Sequence, residues 1–248
     1  MEKRVKSEVN KKGGVKTKVQ RLKAGMLKTY YGNPTKDMKV VAITGTTGKT
    51  VVAHFVHEIL KVTGEQVAVL ASDQPFKLGT LHKFLSDAWK AGANVVIVTV
   101  PAETLRDNVF YGLPVHVAAM TNFVTSTLSD MTADEFIDSE KTLFNMKPDI
   151  VVLNHDDMNY EKFEDFHGKT QTISYGQTGK DVKILNSKLY PKGTEATLSL
   201  RTEILPVATF VPGETAVSYM ACAAAIGSAM GVSLKKIADG LAEYNPES

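Results

Sequence analysis

The chain reads as an α/β protein: a parallel sheet with helices on both faces, followed by a small antiparallel β appendage and two C-terminal helices. Three features predict that class. Five short runs rich in Val, Ile and Ala recur at residues 39–44, 66–71, 94–100, 115–120 and 149–153. Runs that stay apolar instead of alternating are the mark of strands covered on both sides. Helical periodicity fills the gaps at about 50–62, 80–91, 102–110 and 132–146, and strands alternating with helices imply right-handed parallel crossovers. After residue 168 the character changes. Residues 170–211 are rich in Thr, Ser, Val and Leu, with turn signals at Tyr175-Gly176, Pro191-Lys192-Gly193 and Pro212-Gly213. There Ala196-Thr197-Leu198-Ser199-Leu200 alternates as a half-buried antiparallel strand does.

Taken in order, residues 1–37 read as a basic N-terminal arm ending at the turn-like Gly32-Asn33-Pro34. Residues 38–248 form the domain, with 169–214 its β-rich subregion. The first 28 residues hold ten Lys/Arg against two Glu; the whole chain of 248 carries only +2, so the remainder stands at −6. Such an arm is either a solvated, partly disordered extension or a contact for anionic lipid or nucleic acid. No aromatic precedes Tyr30 to stack on bases. No apolar run approaches the ~18 residues of a membrane span, and no apolar stretch follows the basic N-terminus as in a secretory signal. A cytoplasmic location is therefore expected. Cys222 is the single cysteine, which excludes a disulfide framework and a thiolate metal site; it reads as a small core residue. The chain closes with an Ala-rich helix at about 215–230 and a second helix, N-capped by Ser233, through Leu234, Ile237 and Leu241.

The first strand, Val40-Val41-Ala42-Ile43-Thr44, breaks into Gly45-Thr46-Thr47-Gly48-Lys49-Thr50. Val52, Phe55, Val56, Ile59 and Leu60 then share one helical face. Strand, glycine-rich turn, Lys-Thr and helix is the context of a P-loop. Glycines let the backbone approach phosphates, and the first N–H groups of the helix point at them. Lys49 then reaches the outer phosphates and the Thr50 hydroxyl sits on Mg²⁺. The alternative is a tight strand-to-helix turn with an incidental Lys-Thr. The expected ligand is a nucleoside triphosphate, ATP, with Mg²⁺.

Further pieces follow in order: Thr121-Asn122-Phe123 after the fourth strand, Glu135-Phe136 to Phe144, Val152-Leu153-Asn154-His155-Asp156-Asp157, Gly213-Glu214-Thr215-Ala216-Val217-Ser218-Tyr219, and Gly231-Val232-Ser233 to Gly240-Leu241. With these, residues 39–243 resemble the central ATPase domain of the Mur ligases, in the group that extends the peptidoglycan stem peptide. The resemblance implies that a carboxylate takes the γ-phosphoryl of ATP and an amine then displaces phosphate. The protein's share of such chemistry is positioning and charge neutralisation. It implies nucleotide contacts from Gly45, Thr46, Thr47, Gly48, Lys49, Thr50, Asn122, Asp156 and Asp157, with Thr50 on the metal and Lys49 catalytic. Family members have three domains and only the middle one is found here, so a separate chain supplying substrate domains is expected.

Several positions depart from the family. Its Mg²⁺-binding Glu falls on Thr99, and its substrate-contacting Ser, Gln and Arg on Pro101/Ala102, Asp107 and Val109. A family His falls on Thr127, and two Asn on Ala216 and Tyr219. Its carbamylated lysine has two candidates. Counting from Thr127 reaches Lys141; anchoring on Phe136 and Phe144, which share a helical face with position 140, reaches Glu140. The plainer reading makes both ordinary surface charges. Glu103 either stands in for the carboxylate missing at Thr99 or is a first-turn Glu favoured by the helix dipole. Asp156 and Asp157 touch ribose or a metal-bound water, or else cap a helix. His54 and His57 share a helix face beside Glu58, and packing or solvent is their expected fate, as packing is for Trp89 and the methionines. His155 falls near the expected site. Three functions stay open: a Mur-type ligase subunit, a nucleotide-binding pseudo-ligase acting as a binding module, and an interaction protein tethered by its arm.

Overall fold

The computed structural model describes residues 19, 22–125, 131–164 and 170–246. Thr127 and the first 18 residues lie outside them. The described part of the arm is folded. Residues 22–30 form helix α1, with Ala24 buried and Leu27 packed against the core. A 3₁₀ turn, Pro34–Lys36, buries Pro34 and Thr35.

The body then alternates: β1 Lys39–Thr44, α2 Lys49–Lys61, β2 Val67–Leu70, α3 Leu78–Lys90, β3 Val95–Thr99, α4 Ala102–Arg106, β4 Val117–Met120, α5 Ala133–Phe144, β5 Ile150–Asn154 and α6 Tyr160–Glu164. Next come β6 Gln171–Gly176, β7 Val182–Tyr190, β8 Gly193–Leu200, β9 Glu203–Thr209, α7 Glu214–Ala229 and α8 Leu234–Glu243. The fourth helical pattern begins at a full capping box: the Thr132 hydroxyl accepts from the Glu135 N–H, and the Glu135 side chain accepts from the Thr132 N–H. Helix α4 stops at Arg106, four residues short of the sequence reading.

All nine strands among the described residues join one sheet in the order β2-β3-β1-β4-β5-β6-β7-β8-β9. Strand β6 was grouped by composition with the antiparallel strands, yet it runs parallel to β5 from Gln171 to Tyr175. Direction is set by the crossover through α6, and a Thr- and Ser-rich stretch says nothing about it. The β6–β7 contact is also parallel but covers only the pairs Tyr175–Val182 and Gly176–Lys183. True antiparallel pairing begins with β7–β8 and β8–β9, so the appendage extends the main sheet.

Alternate side chains of β1 feed two cores, as the strand period requires. Val41 and Ile43 pack with Phe55, Ile59, Cys222 and Leu241 under α2, α7 and α8. Val40 and Ala42 pack with Leu81, Leu85, Leu105 and Phe144 under α3, α4 and α5. Helices α2 and α8 approach closely: a Cβ on Gly240 would run into the Ile59 backbone. Cys222 is fully buried, and burial pushes its thiol up to about 12. Packing does not cover every residue assigned to it, because Trp89 is 39% and Met158 89% exposed. Among the described residues no helix is long and apolar enough to cross a membrane.

Strand β1 lies between β3 and β4, so the crossovers leave β1 on one side and return on the other. The carboxyl ends of β1 and β4 thus flank a topological switch point, the crevice where open α/β sheets bind ligands.

Candidate functional site

The P-loop occupies that crevice and needs both of its glycines. Gly45 has φ 120°, and a Cβ there would strike the Thr121 hydroxyl and the Asn122 backbone. Gly48, at φ 78°, is the N-cap of α2, and a Cβ there would enter the Tyr219 ring. No side chain caps α2. Its first-turn N–H groups, which have no partner within the helix, face the crevice with the positive end of the dipole, which makes an anion site.

Asn122 lies under the loop and shapes it. Its Oδ1 accepts from the Thr46 hydroxyl at 2.7 Å, the Thr47 N–H at 3.0 Å and the Thr47 hydroxyl at 3.1 Å. Its carbonyl accepts the Thr46 N–H at 3.0 Å. Thr121 donates to the Thr47 carbonyl at 2.7 Å. These contacts spend Asn122 on loop geometry, so its route to a ligand runs through Thr46 and Thr47. The Tyr219 hydroxyl sits 3.4 Å from that of Thr47.

Lys49 is 8% exposed and curls over the loop. Its Nζ donates to the Gly45 carbonyl at 2.8 Å and the Thr46 carbonyl at 3.3 Å. Burial lowers its pKa, while the charges of Asp73, Glu140 and Glu103 oppose that, in decreasing order. Negative charge from the exposed Asp73 and from Glu103 therefore acts on one buried ammonium.

Glu140 is fully buried, which overturns the surface-charge reading. Phe136 and Phe144 bury the face of α5 that carries it, and Phe136 stacks on Phe123 at 4.7 Å. Its Oε1 lies 2.9 Å from the Thr44 hydroxyl, which also lies 2.9 Å from the Val100 carbonyl. A hydroxyl has one proton. If it goes to Val100, the Glu140 contact requires a proton on Glu140. Burial agrees, pushing this carboxyl up to about 8 against the pull of Thr44 and Lys49. Lys141, the other candidate, is the next residue along α5 and is only partly buried.

Thr50 donates to Asp73 Oδ1 at 3.2 Å. Asp73 lies between β2 and α3 and did not figure in the sequence reading. The available signal was its place just beyond a strand's carboxyl end, on the ligand-binding edge. Thr99, in the register of the family's Glu, is buried and clasps the same loop: its hydroxyl accepts from the Ser72 N–H at 2.7 Å and donates to the Ser72 carbonyl at 3.0 Å. Glu103 occupies the first turn of α4, near enough for its charge to act on Lys49.

Asp156 and Asp157 serve their own backbone. Asp156 accepts from the Gln177 N–H at 2.6 Å, the Thr178 N–H at 2.9 Å and the Thr178 hydroxyl. Partial burial works against its charge, but these bonds win and hold the carboxyl below its ordinary range. Asp157 accepts from the Phe123 N–H at 2.6 Å and the Asn159 N–H at 2.9 Å, fastening the end of β5 to the segment after β4. His155 bonds Thr178 and leans on Tyr160. His54 stacks on Tyr244, and His57 bonds Glu58. Among the described residues no three His, Cys, Asp or Glu side chains gather to hold a metal.

The Mur ligase middle domain family model matches residues 43–227. The UDP-N-acetylmuramoyl-L-alanyl-D-glutamate–2,6-diaminopimelate ligase of Bacillus licheniformis is 27% identical over 235 residues, covering 86% of this chain and 48% of that protein. A solved structure of a ligase of the same description superposes with a TM-score of 0.78 at 18% identity, over 84% of this chain and 46% of that one. MurF ligase of Thermotoga maritima, solved with ADP, superposes at 0.70 with 17% identity, over 87% and 52%. The chain spans about half the length of the curated relatives it matches.

Proposed function

The chain belongs to the Mur ligase middle domain family, and on that premise we propose that it is the ATP-binding domain of a carboxylate–amine ligase acting on peptidoglycan precursors. The observation that carries this reading is the P-loop itself: Gly45 and Gly48 in backbone states that exclude other residues, with Lys49 folded onto the Gly45 and Thr46 carbonyls. A phosphate at the start of α2 is a better acceptor for that ammonium than two neutral carbonyls, because its negative charge adds Coulomb attraction to the hydrogen bond.

Magnesium fits the residues present. Mg²⁺ favours oxygen ligands, taking one or two carboxylates beside substrate phosphates, and Thr50 and Asp73 offer a hydroxyl and a carboxylate 3.2 Å apart. When bound, the metal neutralises charge on the β- and γ-phosphates. The chain's own residues bind and orient. The first turn of α2 and Lys49 hold the phosphates, and Asn122 keeps the loop in shape. The acceptor carboxylate attacks the γ-phosphorus and ADP leaves; the amine then attacks the acyl carbon, and phosphate and a proton depart. On this reading a partner chain supplies the acceptor and the amine.

The arm supports a second contact. Leu22, Met26 and Tyr30 lie on one face of α1 and are 65–80% exposed, and residues 1–28, which include most of that helix, carry a net +8. A basic helix with an apolar face suits an anionic lipid surface, which accords with a cytoplasmic, membrane-facing location.

Calorimetric titration with Mg-ATP tests the main reading. Wild type binds at micromolar levels, and Lys49→Ala binds about ten- to a hundredfold more weakly, the equivalent of a charged hydrogen bond of ~1.5–3 kcal/mol. Equal affinities, or no binding by wild type, would refute it. Turnover that appears only with added partner separates a ligase from a pseudo-ligase, which binds ATP and forms no ADP in any mixture.

A further inference from the structure

We propose that Asp73 supplies the metal-associated carboxylate absent at Thr99, so that Mg²⁺ on Thr50 is held from the β2–α3 loop instead of from β3. The inference rests on the nucleotide reading above and names the residue which completes that site.

Thr99 is unsuited to hold the ion. It is uncharged, fully buried, and its hydroxyl is spent on both backbone groups of Ser72. That clasp has a consequence one residue on. With Ser72 fastened to the end of β3, Asp73 stands over the start of α2, and its Oδ1 meets the Thr50 hydroxyl at 3.2 Å. The loop is pinned at further points: Ser72 Oγ donates to the Gln74 carbonyl at 2.8 Å and accepts the Gln74 N–H at 3.2 Å, and the Phe76 N–H donates to the Thr104 hydroxyl at 3.2 Å. Asp73 is thereby held on a supported loop, as a precise ligand must be.

The spacing suits the ion. Mg²⁺ takes octahedral oxygen ligands at ~2.0–2.1 Å, which puts neighbouring ligands about 3 Å apart. The Thr50–Asp73 distance is close to that edge, so both oxygens can serve one ion with little movement once the Thr50 hydroxyl proton turns away from Asp73. The other carboxylates fit less well. Glu140 is sealed in the core and bonded to Thr44. Glu103 sits in the first turn of α4, whereas the carboxylate bonded to the Thr50 hydroxyl is that of Asp73. Asp73 is exposed, so Asp73→Asn leaves the core intact.

The test is calorimetric binding of ADP to wild type, Asp73→Asn, Asp73→Glu and Glu103→Gln, each in Mg²⁺ and in EDTA. Wild type gains affinity from Mg²⁺. Asp73→Asn loses most of that gain, at least tenfold, while its affinity in EDTA is unchanged or higher because a negative charge near the phosphates is gone. Asp73→Glu regains part of the magnesium effect, and Glu103→Gln keeps it. An undiminished magnesium gain in Asp73→Asn, or its loss in Glu103→Gln alone, would overturn the assignment to Asp73 while leaving the nucleotide site standing. Failure of wild type to bind ADP under either condition would overturn both.

Discussion

Replacing Glu140 by Gln should make this protein more stable, and increasingly so as pH rises. Glu140 is an acid whose pKa is raised from 4.5 to about 8 by burial, with Thr44 and Lys49 opposing and Glu103 assisting. The native state therefore holds a proton there that the unfolded chain releases above pH 4.5. Stability is unaffected below that point, declines as pH rises from about 4.5 to 8, and levels off above. At about 1.4 kcal/mol per pKa unit, the shift amounts to at most about 4–5 kcal/mol; local opening that admits water reduces it. Gln is a neutral isostere that keeps a donor toward Thr44 and cannot ionise. Urea unfolding followed by circular dichroism at pH 5, 6, 7 and 8, with linear extrapolation, should show the variant's advantage over wild type widening by several kcal/mol. Lys49→Ala, which removes a neighbouring cation that favours the charged carboxylate, should extend the upper end of the window to higher pH and leave its lower end near 4.5. A difference between wild type and Glu140→Gln that stays constant across pH would refute the buried, protonated carboxyl.

Three further outcomes follow from the same contacts. Gly48→Ala should destabilise the fold by ~1–3 kcal/mol and abolish nucleotide binding, since φ 78° and the Tyr219 ring both oppose a Cβ; in a Tyr219→Ala background the stability loss should shrink but not vanish, as read by thermal melts. Asp156→Ala should cost about 1–3 kcal/mol, because three donors of the β6–β7 turn lose their acceptor, yet leave ATP affinity unchanged; a large affinity loss would instead place Asp156 at the ligand. The protein should sediment with phosphatidylserine vesicles at low salt and release at high salt, with Met26→Asp binding markedly less; equal sedimentation of wild type and variant would sink the lipid reading.

The P-loop was legible because its requirements are local. A buried strand, two glycines, Lys and Thr follow one another in the chain, and backbone sterics at Gly45 and Gly48 permit little else. Glu140 was legible in part: the Phe136–Phe144 spacing put it on the inward face, but only the packed core shows that its partner is Thr44, 96 residues away. Asn122, Asp156 and Asp157 were visible as polar residues at strand ends, while the number of oxygens each commits to neighbouring backbone depends on loops meeting across the sheet.

The sequence by itself determined the parallel α/β class, the strand–loop–helix of the phosphate site and the family, since hydrophobic period, turn chemistry and an ordered set of motifs are written along the chain. Tertiary structure decided the direction of β6, the burial of Glu140 and the meeting of Asp73 with Thr50. Each depends on segments brought side by side by the sheet, and no local rule encodes which carboxylate a fold will set beside a given hydroxyl.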